Sequence, residues 1–101
     1  MKYNKLVRDK IPQIIEKSGK TPITHNAGGK EYWKKLKEKL SEEVCEFIEK
    51  GDEEELADIL EVIDAICEFR PFDKQKIKSL RRKKLVGRGG FRKKIILDEV
   101  I

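Results

Sequence analysis

The chain has 101 residues, of which 43% are charged and 38% apolar, and its formal net charge is +5. A chain of this length holds one domain with a modest core. Its apolar runs all fall short of the roughly 18 residues that span a bilayer, and the opening MKYNKLVRDK lacks the apolar segment of a signal peptide, so a cytoplasmic chain with no membrane partner is expected.

In chain order, residues 1–7 carry a short mixed pattern suited to an extended lead-in strand. Asp9 is placed to cap a helix from Lys10 to Lys17, with Pro12 tolerated in its first turn and Gly19 at its end. Lys20 to Gly29 is rich in turn residues and reads as a loop. Its His25 is the single histidine of the chain and has no partner at ligand spacing, so it reads as a surface residue. A long helix is expected from about Lys30 to Lys50, with Gly51 as its stop. Asp52 caps the next, with Glu55 in the capping-box position, and that helix runs to about Phe69 before Arg70-Pro71 ends it. Asp73 caps a third pattern from Lys74 to about Leu85, and Gly87-Arg88-Gly89-Gly90 breaks the chain. Phe91 to Ile101 holds an Ile-Ile-Leu run that favours a strand.

The net charge hides a partition. From Glu38 to Glu68 there are thirteen acidic and two basic residues, a net of −11; from Lys74 to Lys94 there are eleven basic residues and no acidic one, a net of +11. A basic block of this kind fits a nucleic-acid face, a strand of charge lying on an acidic bundle, or a holder of polyphosphate beside a metal. Cys45 and Cys67 have no zinc or CxxC spacing, and Cys67 reads as a small core residue.

The acidic half carries the candidate chemistry. Glu43 and Glu46 are three apart on one predicted helix, and Glu55 and Asp58 three apart on the next, so each pair shares a face. Acidic helix faces are mostly just solvated, and a helical wheel separates that reading from a ligand set. On the first helix Trp33, Leu36, Leu40, Val44 and Phe47 form the apolar stripe; Glu43 falls inside it and Glu46 on its edge. On the second, Leu56, Ile59, Leu60, Ile63, Ile66 and Cys67 form the expected core stripe, with Glu55 and Asp58 beside Ile59 and Val62. Glu54, Glu61, Asp64 and Glu68 gather on the opposite side. Carboxylates turned toward a core need a partner, and hard cations such as Mg²⁺ take oxygen ligands of this kind. The rival role for Glu55 is that of a cap partner alone.

Glu42-Glu43-x-x-Glu46 followed by Glu55-x-x-Asp58 resembles the EExxE…ExxD signature of the MazG-like, all-α nucleoside triphosphate pyrophosphohydrolases. The opening YNKLVRDKIPQII and the late GGFRKKIIL are similar to a short phosphoribosyl-ATP pyrophosphohydrolase-like subgroup, so the likeness touches both ends and the middle of the chain. Only eight residues separate Glu46 from Glu55, fewer than in longer MazG domains. The resemblance implies a single MazG-like domain over residues 1–101 that splits a nucleoside triphosphate, or a related nucleotide, between its α and β phosphates. It implies Mg²⁺ held by Glu43, Glu46, Glu55 and Asp58, with Glu42 or Glu43 as the base. Lys5, Arg8 and Lys10 from the first stretch, and Arg92, Lys93 and Lys94 from the last, are the expected phosphate holders. For any single lysine a solvated surface charge is the rival reading, and for Arg8 the rival is a structural pair with Asp9.

The apolar residues of the second helix cover more of its circumference than one neighbour can bury, so a homodimer or higher homo-oligomer is expected. The expected fold class is therefore mainly α: an antiparallel helix pair forming a four-helix-bundle-type oligomer, with a small β element from the termini. A nucleic-acid-binding protein using residues 74–94, or a non-catalytic MazG-like subunit, is the alternative.

Overall fold

Gly51 sets the fold. It takes the left-handed conformation (φ +68°), its N–H donates to the Phe47 carbonyl at 2.7 Å, and it ends one long helix where the next begins. A computed structural model describes residues 2–101. Its four helices are α1 (Ile11–Lys17), α2 (Gly29–Lys50), α3 (Glu53–Phe69) and α4 (Lys74–Arg88). There is no strand among the described residues, and no helix among them is long and apolar enough to cross a membrane. The chain divides into two compact units, Met1–Arg70 and Pro71–Ile101.

In the first unit α2 and α3 form an antiparallel hairpin. Asp52 caps α3 by accepting from the Glu55 N–H at 3.4 Å. At the far end Phe69 closes α3 against the start of α2, edge-on to Tyr32 with ring centroids 5.1 Å apart and stacked on Trp33 at 6.0 Å. Leu36, only 1% exposed, is the most buried apolar residue of the hairpin, and Val62 and Cys67 are buried with it. The buried line of α3 is rotated from the expected one. Glu55, Val62 and Cys67 are buried and Asp58, Ile59 and Ile66 half-buried, whereas Leu56, Leu60 and Ile63 are exposed, as are Val44 and Ile48 of α2. One partner helix covers one arc, and the arc chosen includes the carboxylates.

Residues 2–10 form an arm without regular structure, tied to α2 where Lys35 Nζ donates to the Asn4 carbonyl at 2.7 Å. The cap of α1 falls on Lys10 rather than Asp9, without a side-chain hydrogen bond; Pro12 in the first turn supplies the start. Exposed His25 pairs with Glu31 at 3.0 Å, which fastens the loop to the first turn of α2.

In the second unit Asp73 caps α4 as expected, accepting from the Gln75 and Lys76 N–H groups at 2.9 and 3.3 Å. The helix runs past Leu85 through Gly87 and stops at Gly89, whose φ of +82° only glycine takes without strain. A lone glycine lowers helix stability by about 1 kcal/mol, too little to end a helix with capped ends. The expected β element from the termini does not form among the described residues. A strand needs a neighbour to satisfy its backbone; Asn4 gives its carbonyl to Lys35, and Phe91 to Lys94 close a turn by an N–H to carbonyl bond of 3.1 Å.

Candidate metal centre

Glu43 and Glu46 lie one turn apart on α2, and α3 presents Asp58 opposite them. One carboxylate oxygen from each comes together, all within 4.8 Å of one another. Glu43 is deepest, at 6% exposure, because it shares the face of α2 that buries Leu36. Its Oε1 meets Lys39 Nζ at 3.2 Å, while its buried Oε2 has no hydrogen-bond partner.

Cations ring the cluster. Arg8 of the arm donates from Nη2 to Asp58 Oδ1 at 2.7 Å, a contact across 50 residues of sequence. Lys5 Nζ stands 3.1 Å from Glu42 Oε1, and Lys39 Nζ 3.4 Å from Glu42 Oε2. The Arg8 and Asp58 side chains are 55% and 36% exposed, so their pair contributes only about 0.2–1 kcal/mol. Lys39 is largely buried and bonded to two carboxylates, which makes it the fixed cation of the group.

These placements set the ionisation of the site. Burial pushes the Glu43 carboxyl up, and the neighbouring charges of Glu46 and Asp58 push the same way against the pull of Lys39. Burial acts on Glu42 in the same sense, but the hydrogen bond and charge of Lys5, with Lys39, outweigh it and hold Glu42 below the usual carboxylate range. Glu55 is buried at 5% exposure, one turn from Asp58, and lies outside the three-carboxylate group. Its carboxyl is pushed up to about 7, first by a hydrogen bond to the Asp52 carboxylate and then by burial. Its Oε1, like Glu43 Oε2, is buried without a partner.

Buried carboxylate oxygens are nearly always satisfied, and these two, one on each helix, are not satisfied within the protein. An all-oxygen donor set that retains excess negative charge suits a hard divalent cation such as Mg²⁺. Glu43, Glu46 and Asp58 therefore fit, by donor chemistry, the metal that the sequence signature implies, and Glu55 lies outside their group.

Of the other sequence-named residues, Lys10 sits at the start of α1, exposed, with no ion pair to the cluster among the described residues. Arg92, Lys93 and Lys94 are exposed in the second unit. Glu61 and Asp64 are exposed on α3. Trp33 packs on Phe69 and carries Lys37 and Arg70 over its ring, 5.1 and 4.8 Å from the centroid. Sequence reasoning missed Lys39, whose only signal was its place four residues before Glu43. The rival role for Arg8 was a pair with Asp9, whereas the structure pairs it with Asp58.

No family model matches the chain, and no solved structure matches it. A protein of Mycolicibacterium smegmatis, described only as uncharacterized, is 50% identical over 42 residues. That stretch is 42% of this chain and 43% of the relative, so the chain spans less than half the length of the relative it matches.

Proposed function

We propose that the chain is an Mg²⁺-dependent nucleotide pyrophosphohydrolase, splitting a nucleoside triphosphate or related nucleotide between the α and β phosphates and releasing pyrophosphate. The observation that carries this reading is the convergence of Glu43, Glu46 and Asp58, with one buried oxygen of Glu43 left without a hydrogen-bond partner. The EExxE…ExxD pattern and the family-like ends of the chain supply the reaction class.

In this reading Glu43, Glu46 and Asp58 hold Mg²⁺, and Glu55, one turn from Asp58 on α3, stands beside the set. When bound, the ion neutralises phosphate charge and lowers the pKa of a coordinated water. The protein's own share is base, brace and phosphate grip. Glu43 can take the attacking water's proton only through the oxygen that does not hold the ion, because the bound cation's charge weakens its ligand oxygens as bases. Glu42, held ionised by Lys5 and Lys39, accepts a proton poorly and serves better as a brace for Lys39. Lys5 and Arg8 already stand at the rim of the cluster and can turn to phosphate oxygens.

The same reading includes at least a homodimer. Val44 and Ile48 of α2 and Leu56, Leu60 and Ile63 of α3 are exposed, and a second hairpin laid on them would make a four-helix bundle.

The test is pyrophosphate release from a panel of nucleotides with and without Mg²⁺. Turnover should require the metal, and Glu43→Gln should lower it by more than about a hundredfold. Turnover indifferent to the metal would end the reading. A nucleic-acid-binding role keeps one observation of its own, since every basic residue from Lys74 to Lys94 is exposed. It predicts a gel shift that weakens steeply with salt and survives Glu43→Gln.

A further inference from the structure

We propose that Arg8 is a transferable counter-ion: it neutralises Asp58 in the metal-free protein, and passes to a phosphate group of the ligand once a divalent cation takes Asp58. This rests on the proposed metal site and adds a positioning role for the arm before α1.

The geometry supplies both halves of the exchange. Asp58 Oδ1 receives Arg8 Nη2 at 2.7 Å, and Asp58 is one of the three carboxylates that converge. The guanidinium therefore competes for a carboxylate that the cation also needs. It holds that place weakly, because both side chains are substantially exposed and water screens the pair.

Departure of Arg8 from Asp58 does not require the arm to detach. The Asn4 carbonyl accepts from Lys35, Lys5 pairs with Glu42, and the Arg8 carbonyl accepts the Ile11 N–H at 3.0 Å where α1 begins. Only the side chain has to swing. Lys39 is the opposite case: enclosed between Glu42 and Glu43, it has no comparable freedom.

Charge sets the direction. A divalent ion among Glu43, Glu46 and Asp58 repels a guanidinium left beside it, while a phosphate ligand at the same ion attracts it. The planar fork of arginine matches two phosphate oxygens at once, a grip that a lysine at the same place cannot copy. By reciprocity, anything that engages Arg8 elsewhere frees Asp58 and strengthens cation binding.

The experiment is titration of the full chain with Mn²⁺, followed by electron paramagnetic resonance of the free ion, for the wild type and Arg8→Met. Inorganic pyrophosphate is then titrated onto each Mn²⁺-loaded protein. Without phosphate, Arg8→Met should bind Mn²⁺ roughly two- to fivefold more tightly, the range a half-exposed ion pair covers. Its affinity for pyrophosphate in the presence of Mn²⁺ should fall about tenfold or more, with Arg8→Lys between the two. Opposite signs in the two titrations separate a hand-over from a structural brace, whose loss would weaken both. Unchanged or weaker Mn²⁺ binding in Arg8→Met, or unchanged pyrophosphate binding, overturns the proposal while leaving the metal site standing. A wild type that binds no Mn²⁺ overturns both.

Discussion

Glu55 links the hairpin turn to the candidate site, and its proton gives the first prediction. Its carboxyl rises from 4.5 to about 7 through the hydrogen bond to Asp52 and then through burial. A carboxyl whose pKa is higher folded than unfolded binds more protons in the native state, so stability falls as pH rises between those values. Asp52 works in the opposite sense. Held down chiefly by the Glu55 hydrogen bond, it adds stability above its unfolded value of 3.8 that is lost as pH falls through the lower folded one. Metal-free protein should therefore melt at progressively lower temperature from pH 4.5 to 7. Glu55→Gln, whose amide donates to Asp52 at every pH, should flatten most of that slope; an unaltered slope would place the titration elsewhere. A second prediction concerns Glu43. Its buried charge is opposed by Glu46 and Asp58, so Glu43→Gln should hold or raise the melting temperature without metal and abolish any stabilisation by Mg²⁺. A large loss of metal-free stability would show that the Lys39 pair outweighs the repulsion.

At the scale of elements, the hairpin depends on a turn and a few packed side chains. Gly51→Ala places a Cβ in a left-handed conformation and should cost about 1–2 kcal/mol. Leu36→Ala empties the most buried apolar position and should cost about 2–5 kcal/mol, measured by denaturant unfolding. These elements were legible in the sequence because their signals are local: Gly51 as stop, Asp52 and Asp73 as caps, Phe69 before Arg70-Pro71. The placement of Glu43 inside an apolar stripe was legible for the same reason. What local spacing does not carry is pairing. Arg8 meets Asp58 across 50 residues, and Leu56, Leu60 and Ile63 lost their expected burial because α2 covers the arc of α3 that carries Glu55 and Val62. The Ile-Ile-Leu run near the C-terminus has strand composition, but composition does not provide a neighbouring strand.

At the scale of the whole molecule, the proposed second copy and the proposed chemistry are separable. Light scattering at micromolar concentration should give at least a dimer, and Leu60→Glu should shift it toward monomer; a wild-type monomer would contradict the bundle while leaving the carboxylate cluster untouched. The central claim is that the face of α3 bearing Asp58, and not the face bearing Asp64, does the chemistry. The most direct measurement is Mg²⁺-dependent pyrophosphate release by the wild type, Asp58→Asn and Asp64→Asn on one nucleotide panel. Asp58→Asn should lose turnover by more than about a hundredfold, and Asp64→Asn should stay within about threefold of the wild type. Near-normal turnover in Asp58→Asn together with its loss in Asp64→Asn would contradict the site.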